Sequence, residues 1–557
     1  MTELENGCAN ESGKDATPPP PPQSDQFGLD AILVRIGEFG KFQMRNYALI
    51  IPPVIFNAYL MCSYIFLTSS VVHRCRIPEC DGSTNIYQQP WMDFSIPQTS
   101  AGDLDKCHRY IPYNRTNSDK CFAENFNKNS QENCGTDFIF RDNELTISND
   151  FNIYCSDDWK LSMVGTINIA GQFIGSPLGG YFSDRYGRRT LVAFGGTMSA
   201  ILGLVRSFSP NYYMFLTFGF LENVCSAVMY ATLFIIGAEL FGQKARVLSN
   251  SILPMFYSVG EILLAIIAKS THNWRWILRI GYAPALAHLA LLWFLPESVR
   301  WLLSRGEEEK AADILRQAAK TNKRKLSDVT IQKLILENRY KLEEVNATEF
   351  PITQAFKMFP WRIVNCALCW FSNVLVYHGL NLNSQLLGGN KYDSFMYLAL
   401  VEIPAYMILY FTINRLGRRF SLFGYLLICG ICLGATIFVP KESYALQLSM
   451  FLVGKMAITI SFQVLYFYTS EIFPTNIRNR MLSLCSMLGR IGSMVAPQTV
   501  LLAKFNKSAP VILFSCFALL SAFTALLFPE TTDAALPSTM NEAKGIGDKN
   551  KEVKPKS

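Results

Sequence analysis

The sequence predicts an all-α membrane protein of twelve transmembrane helices in two parallel six-helix repeats. Three observations lead there. Half of the 557 residues are hydrophobic and only 17% are charged, too apolar a balance for most soluble globular chains. Apolar stretches of roughly 20 residues, enough to cross about 30 Å of hydrocarbon, recur along the whole chain. Short motifs at the ends of these stretches then return at nearly one offset, which divides the chain into two related halves.

The stretches lie at 46–71, 160–181, 190–207, 213–238, 250–270 and 276–296, then at 361–383, 393–413, 420–439, 445–469, 482–503 and 509–529. This pattern divides the chain into a cytoplasmic tail (1–45), a first half (46–296) and a cytoplasmic helical segment (297–360), followed by a second half (361–529) and a second tail (530–557). The first 45 residues are polar, include the run Pro18 to Pro22 and show no cleavable signal peptide, so no domain is expected before residue 27. In the segment 297–360, EEEKAADILRQAAK places Ala311, Ile314, Leu315 and Ala318 on one helical face, which suits a small amphipathic cap under the bundle.

The formal charge of +7 does not point to nucleic acid, because the cations sit in short clusters between apolar stretches. Arg185, Arg188, Arg189, Lys244, Arg246, Arg415, Arg418, Arg419, Arg478 and Arg480 all fall in short loops of one side, and this bias predicts both termini in the cytoplasm. The loop 72–159 then lies outside, and it holds six of the fifteen cysteines: Cys75, Cys80, Cys107, Cys121, Cys134 and Cys155. Such a cluster suits three disulfides in an oxidising compartment, with fifteen connectivities open. A zinc site is the competing reading, but no paired CxxC spacing supports it. The sequon at Asn114 lies in this loop and is open to glycosylation, whereas the one at Asn346 lies inside.

The internal repeat is the most informative pattern. DRYGRR from Asp184 returns as NRLGRR from Asn414, an offset of 230; ELFGQKAR from Glu239 returns as EIFPTNIR from Glu471, an offset of 232. Pro296-Glu297 returns as Pro529-Glu530, an offset of 233. Both halves therefore share one orientation, the arrangement of parallel repeats about an axis along the membrane normal, with a site at mid-membrane between them.

The segment GYFSDRYGRR, from Gly180 to Arg189, resembles the loop signature of the major facilitator superfamily. The cysteine-rich loop, WRW at 274–276, PESVRWLL at 296–303, VEIPAY at 401–406 and YTSEIFPTNIRNR at 468–480 narrow the resemblance. They are similar to the organic cation, anion and zwitterion transporters of solute carrier family 22, closest to the carnitine and zwitterion type. The match runs from Glu38 to Glu530, and Val299 departs from it where the family usually has Pro.

The resemblance implies a plasma-membrane carrier of small organic ions working by alternating access. Gating falls to Gly180, Asp184, Arg185, Gly187, Arg188, Arg189, Glu239 and Arg246, and in the second half to Arg415, Gly417, Arg418, Arg419, Glu471 and Arg478. Asn414 stands where the first copy has Asp184, so the second latch is expected to be weaker.

For the substrate, ionisable residues inside predicted spans are the candidates, because charge in hydrocarbon is costly and marks a site or a pair. Glu402, Arg490 and Lys455 are assigned to it on that ground, the resemblance adds Tyr377, Gln463 and Asn57 as positions matching the family's cavity, and Glu222 and Glu261 are read as structural. Family members selective for cations carry Asp where this chain has Arg490, and a guanidinium there grips a carboxylate. Glu402 with Tyr377 suits an amine, so the expected substrate is a zwitterion, with an organic anion or cation as alternatives. Lys455 neutralising Glu402 is the competing structural reading.

The expected partners are a small organic ion, the lipid bilayer and a coupling ion, sodium or proton, with no nucleic acid, metal or other cofactor. No phosphate-cradling glycine loop supports an ATP-driven pump, and no nucleophile, base and oxyanion set supports an enzyme. A transporter-like receptor that binds its ligand on the outer loop is the alternative from another class.

Overall fold

The computed structural model describes residues 28–531, apart from the short segments 83–84, 99–103, 114–120, 136, 347–351, 385–388, 441–442, 475–476 and 504, together with 537 and 543–544. Asn114 lies outside the described residues, as do the side chains of Arg246 and Asn414.

The first half contains α1 (Lys41–Cys62, continued as Tyr64–Leu67), α2 (Trp159–Tyr186), α3 (Arg188–Arg206), α4 (Tyr212–Glu239), α5 (Gln243–Thr271) and α6 (Trp274–Ala285, continued to Phe294). The second contains α7 (Pro360–Asn383), α8 (Lys391–Leu416), α9 (Arg418–Thr436), α10 (Tyr444–Ile472), α11 (Arg478–Leu502) and α12 (Ala509–Ala525). Eight of these are long and apolar enough to cross a membrane on composition alone, and α12 is a shorter apolar helix. The other three, α2, α3 and α11, carry the arginine motifs and many glycines, so their place comes from packing rather than hydropathy.

Asparagine side chains cap three of the helices, each accepting from a free N–H of the first turn: Asn211 from Met214 N, Asn273 from Arg275 N and Asn390 from Tyr392 N, at 2.9, 2.9 and 3.0 Å. The arginine motif is less of a loop than its sequence suggests. Asp184 to Tyr186 belong to α2, Arg188 opens α3, and Gly187 alone makes the turn at φ 94°, with its counterpart Gly417 at φ 77° between α8 and α9. An L side chain rarely adopts such a backbone, and at Gly187 a Cβ would also collide with the Glu297 carboxylate. Gly180 differs: a Cβ there would meet open space, so no close approach demands glycine at that position.

The amino-terminal region is more than a tail. Helix Leu29–Ile36 buries Leu29, Ile32, Leu33 and Ile36 against Leu302, Leu303, Leu315 and Leu334 of the segment between the halves. Helix Glu308–Thr321 turns Ala311, Leu315 and Ala318 into the same core, so the cap is shared by both regions. Below it, Asn322 ties the cap to α1 by accepting from Phe42 N at 2.9 Å and donating to Gln43 at 2.8 Å.

At the opposite end, the loop after α1 folds around two small antiparallel pairs, β1 (His73–Cys75) with β4 (Phe138–Phe140) and β2 (His108–Pro112) with β3 (Phe126–Asn133). Its disulfides join Cys75 to Cys134, Cys80 to Cys121 and Cys107 to Cys155. Arg74, 1% exposed, forks onto Asp81 at 2.7 and 2.8 Å, a buried bidentate pair that the cross-links surround. The loop is anchored to the first half where Leu145 bonds His272 and Trp274 backbone and Asp150 takes the Arg275 guanidinium at 2.7 Å. Losing one such cross-link should cost the loop about 2–5 kcal/mol and leave the bundle intact. Reduction is therefore expected to lower cell-surface delivery more than the melting temperature of the purified bundle; peptide mapping that finds the six thiols free would contradict it.

Candidate functional site

Two helical spacings build the centre of the molecule. Ser258 and Glu261 stand three residues apart on one face of α5, and Tyr377 and Asn381 four apart on one face of α7. These faces meet α8 and α10 between the two halves. Glu402 of α8, fully buried, accepts from Tyr377 Oη at 2.7 Å and from Ser258 Oγ at 2.9 Å. The Lys455 ammonium of α10, also fully buried, lies 2.7 Å from Glu402 Oε1 and 3.4 Å from the centre of the Tyr377 ring. A cation over an aromatic face beside a carboxylate is the pocket expected for an amine, and here the protein's own lysine occupies it.

In this conformation Lys455 holds the place beside Glu402 where a substrate amine is expected. A lone carboxylate at that depth would cost several kcal/mol, and Lys455 supplies the counter-charge. Glu261, read from sequence as structural, belongs to the same cluster: it accepts from Cys62 Sγ at 3.2 Å and Asn381 Nδ2 at 3.3 Å and lies within electrostatic reach of Glu402 and Lys455. Glu222 is the structural one. It pairs with buried Arg206 at 3.6 Å and takes Asn223 Nδ2 at 2.7 Å, inside the first half.

Arg490 of α11 is half-buried. Gly492 lets α11 close onto α7, since a Cβ there would strike the Phe371 carbonyl. Tyr230, Tyr257 and Tyr466 are within electrostatic reach of the Arg490 guanidinium, which has no carboxylate partner among the described residues. Tyr230 is within electrostatic reach of Arg490 and of both central carboxylates. The site deepens from Tyr466, 37% exposed, to Glu402 and Lys455 at 0%. Gln463 lies beside Tyr406 on the same side. Asn57 is not brought into the cluster: it accepts from Ser226 at 2.8 Å and joins α1 to α4 within the first half. Tyr230, Tyr257 and Tyr466 escaped sequence reading because single aromatics in apolar stretches carry no spacing signal, and His378, too dispersed from the other histidines to suggest a relay, lies within electrostatic reach of Lys455 and Arg490.

The arginine motifs form twin clusters at the end of the bundle away from the cysteine-rich loop. Glu297 accepts from the backbone N–H groups of Arg188, Arg189 and Ser298 at 2.9, 3.1 and 2.9 Å. Glu530 repeats this with Arg418, Arg419 and Thr531 at 2.9, 3.2 and 3.0 Å. Each carboxylate caps the positive end of a helix, α3 or α9. Glu239 accepts from Ser298 Oγ and lies 3.7 Å from Arg188; Glu471 accepts from Thr531 Oγ1 at 2.6 Å and from Arg418 Nε at 3.2 Å. Asp184, 75% exposed at its side chain, pairs among the described residues with Arg188 alone, at 2.9 Å, and Arg185 bonds Tyr181. Half-buried Arg478 is within reach of Glu471, and Arg415 is exposed. The two clusters share the anchors Glu297 and Glu530, which sequence reading saw only as a repeat; the Asn414 side chain, on which the expected weakness of the second latch rests, lies outside the described residues.

Hydrogen bonds and ion pairs between the halves among the described residues lie at mid-bundle or toward the cysteine-rich loop. Lys269 meets Asp393 at 2.7 Å, Thr166 donates to Met494 O at 3.0 Å, and Gln498 donates to Thr166 at 2.9 Å. Glu144 of the loop holds Lys391 and takes Tyr392 Oη at 3.0 Å.

Two six-helix halves enclosing a charged cluster at mid-depth define a membrane transporter of the major facilitator type. Residues 114–539 match the family model described as "Sugar (and other) transporter". The chain belongs to that family and, within it, to the organic ion carriers of solute carrier family 22. It is 30% identical to an "Organic cation transporter protein" of Drosophila melanogaster over 94% of this chain and 96% of that one. Identity to the "Organic cation/carnitine transporter 2" of Homo sapiens is 28%, over 92% and 93%. Among solved structures, the proton:xylose symporter XylE superposes with TM-score 0.55 at 21% identity, covering 72% of this chain and 93% of that chain, which speaks for the fold. These relatives are transporters, and this chain is a transporter, not an enzyme.

Proposed function

We propose that the chain carries small zwitterions, of the carnitine or amino-acid-derived amine kind, across the plasma membrane by alternating access. One observation carries this reading: Arg490 stands without a carboxylate partner among the described residues, beside a cluster that holds two carboxylates, Glu402 and Glu261, for one ammonium. The site therefore offers a cationic end for a carboxylate and an acidic end for an amine. The relation to an organic cation/carnitine transporter supports the same substrate class. Occupation of the Glu402 slot by Lys455 favours a second reading, an organic anion carrier.

In the cycle we propose, both termini are cytoplasmic and the contacts of Glu144, Lys269 and Thr166 close the outer side. The clusters around Glu297 and Glu530 hold each half rigid at the inner side, so that the halves rock as bodies. Competition by carnitine, a β-alanine-type zwitterion, tetraethylammonium and an aromatic anion tests the substrate; inhibition by the anion alone would replace the first reading with the second. For the inner clusters, Glu297→Ala is expected to cost about 1.5–3 kcal/mol, and Asp184→Asn about 0–1 kcal/mol because its pair is exposed. Melting temperatures of the two purified variants check the order, and a larger loss from Asp184→Asn would reverse it.

A further inference from the structure

We propose that Glu261 is a proton-binding site and that its proton exchanges for the cationic end of the substrate. The proposal rests on the transporter reading above for its second clause only. Glu261, Glu402 and Lys455 are each no more than 1% exposed, and together they place two carboxylates against one ammonium. The donors are unequally shared. Lys455, Tyr377 and Ser258 all converge on Glu402, whereas Glu261 receives a thiol and an amide, both on Oε1. Its Oε2 makes no hydrogen bond among the described residues, which leaves a position for a proton.

A buried carboxylate with only neutral donors is held most easily as the acid. A metal cation suits the place poorly, since the groups aimed at Glu261, Cys62 Sγ–H and Asn381 Nδ2–H, are donors rather than oxygen ligands. The titratable and charged groups facing it are Cys62 of α1, Tyr230 of α4, Tyr257 of α5, Tyr377 of α7, Glu402 and Tyr406 of α8 and Lys455 of α10, with Arg490 and His378 beyond them. With Glu261 ionised, this cluster bears one excess negative charge; either a proton or a substrate amine cancels it, and both together would leave an excess positive charge. Proton and amine therefore compete, and one leaves as the other arrives. The bond broken is O–H of the Glu261 carboxyl, and its proton passes to water on the side to which the site is open. Ser258–Glu402 and Asn381–Glu261 both bridge the two halves, so the charge state of this cluster acts on the interface that must part.

The test uses the full chain, purified and reconstituted. In the first arm, melting temperature is followed from about pH 5 to about pH 9 for wild type and Glu261→Gln, whose amide cannot titrate. Wild type is expected to lose stability toward alkaline pH, where the buried acid ionises, and the variant is expected to lack that step; parallel curves overturn the proton site. In the second arm, an inside-acid gradient is imposed on proteoliposomes and uptake of labelled carnitine and tetraethylammonium is followed. Several-fold acceleration in wild type, absent in Glu261→Gln and kept in Glu261→Asp, supports exchange; equal response of wild type and Glu261→Gln overturns it. If neither probe moves, the transport reading of these substrates fails while the first arm still decides the site.

Discussion

Arg490→Asp is expected to lower apparent affinity for carboxylate-bearing substrates roughly ten- to hundredfold, about 1.5–3 kcal/mol, while the protein still reaches the cell surface. The guanidinium is within electrostatic reach of Tyr230, Tyr257 and Tyr466 and has no carboxylate partner among the described residues, so its removal breaks no internal ion pair seen there. The introduced carboxylate repels the substrate's own and adds a third acidic group to the Glu261 and Glu402 cluster. Simple organic cations should gain where zwitterions lose. Uptake of carnitine and of tetraethylammonium, each normalised to surface-biotinylated protein, reads both effects. Unchanged affinity for the wild-type substrate in a surface-delivered variant would make Arg490 a structural residue, and the zwitterion reading would go with it.

Lys455→Met should be far more damaging than Glu402→Gln, although the two residues form one pair. Removing the lysine leaves Glu402 and Glu261 buried together without an ammonium, a situation that costs about 3–5 kcal/mol. Removing Glu402 instead leaves Lys455 with Glu261 still in reach as a counter-ion, and Tyr377 and Ser258 can bond the new amide. The expected order in melting temperature is wild type, then Glu402→Gln, then Lys455→Met, with much of the last loss restored in the double variant Lys455→Met/Glu402→Gln. Equal losses in the two single variants would show that Glu261 does not share the lysine.

Sequence alone determined the class and the doubling. Nine of the helices follow from local hydropathy and overlap their predicted stretches, because the need to satisfy backbone groups in hydrocarbon is local to a segment, whereas α2, α3 and α11 are placed by packing. Gly187 and Gly417 were legible for a similar reason: a one-residue turn at positive φ admits little else. Tertiary structure decided which charges meet. Glu402 finds Lys455, which stands 53 residues further along the chain, and Glu261 joins them from the other half, an encounter no spacing encodes. Glu297 and Glu530 likewise become anchors only when α6 and α12 end beside the turns at Gly187 and Gly417. Helix Leu29–Ile36 forms against a core supplied by residues nearly 300 positions away, so a polar flank hid it. Hydropathy places a segment in the bilayer; the pairing of buried charges depends on how the segments pack against one another, because each charge takes the counter-charge that packing brings within reach.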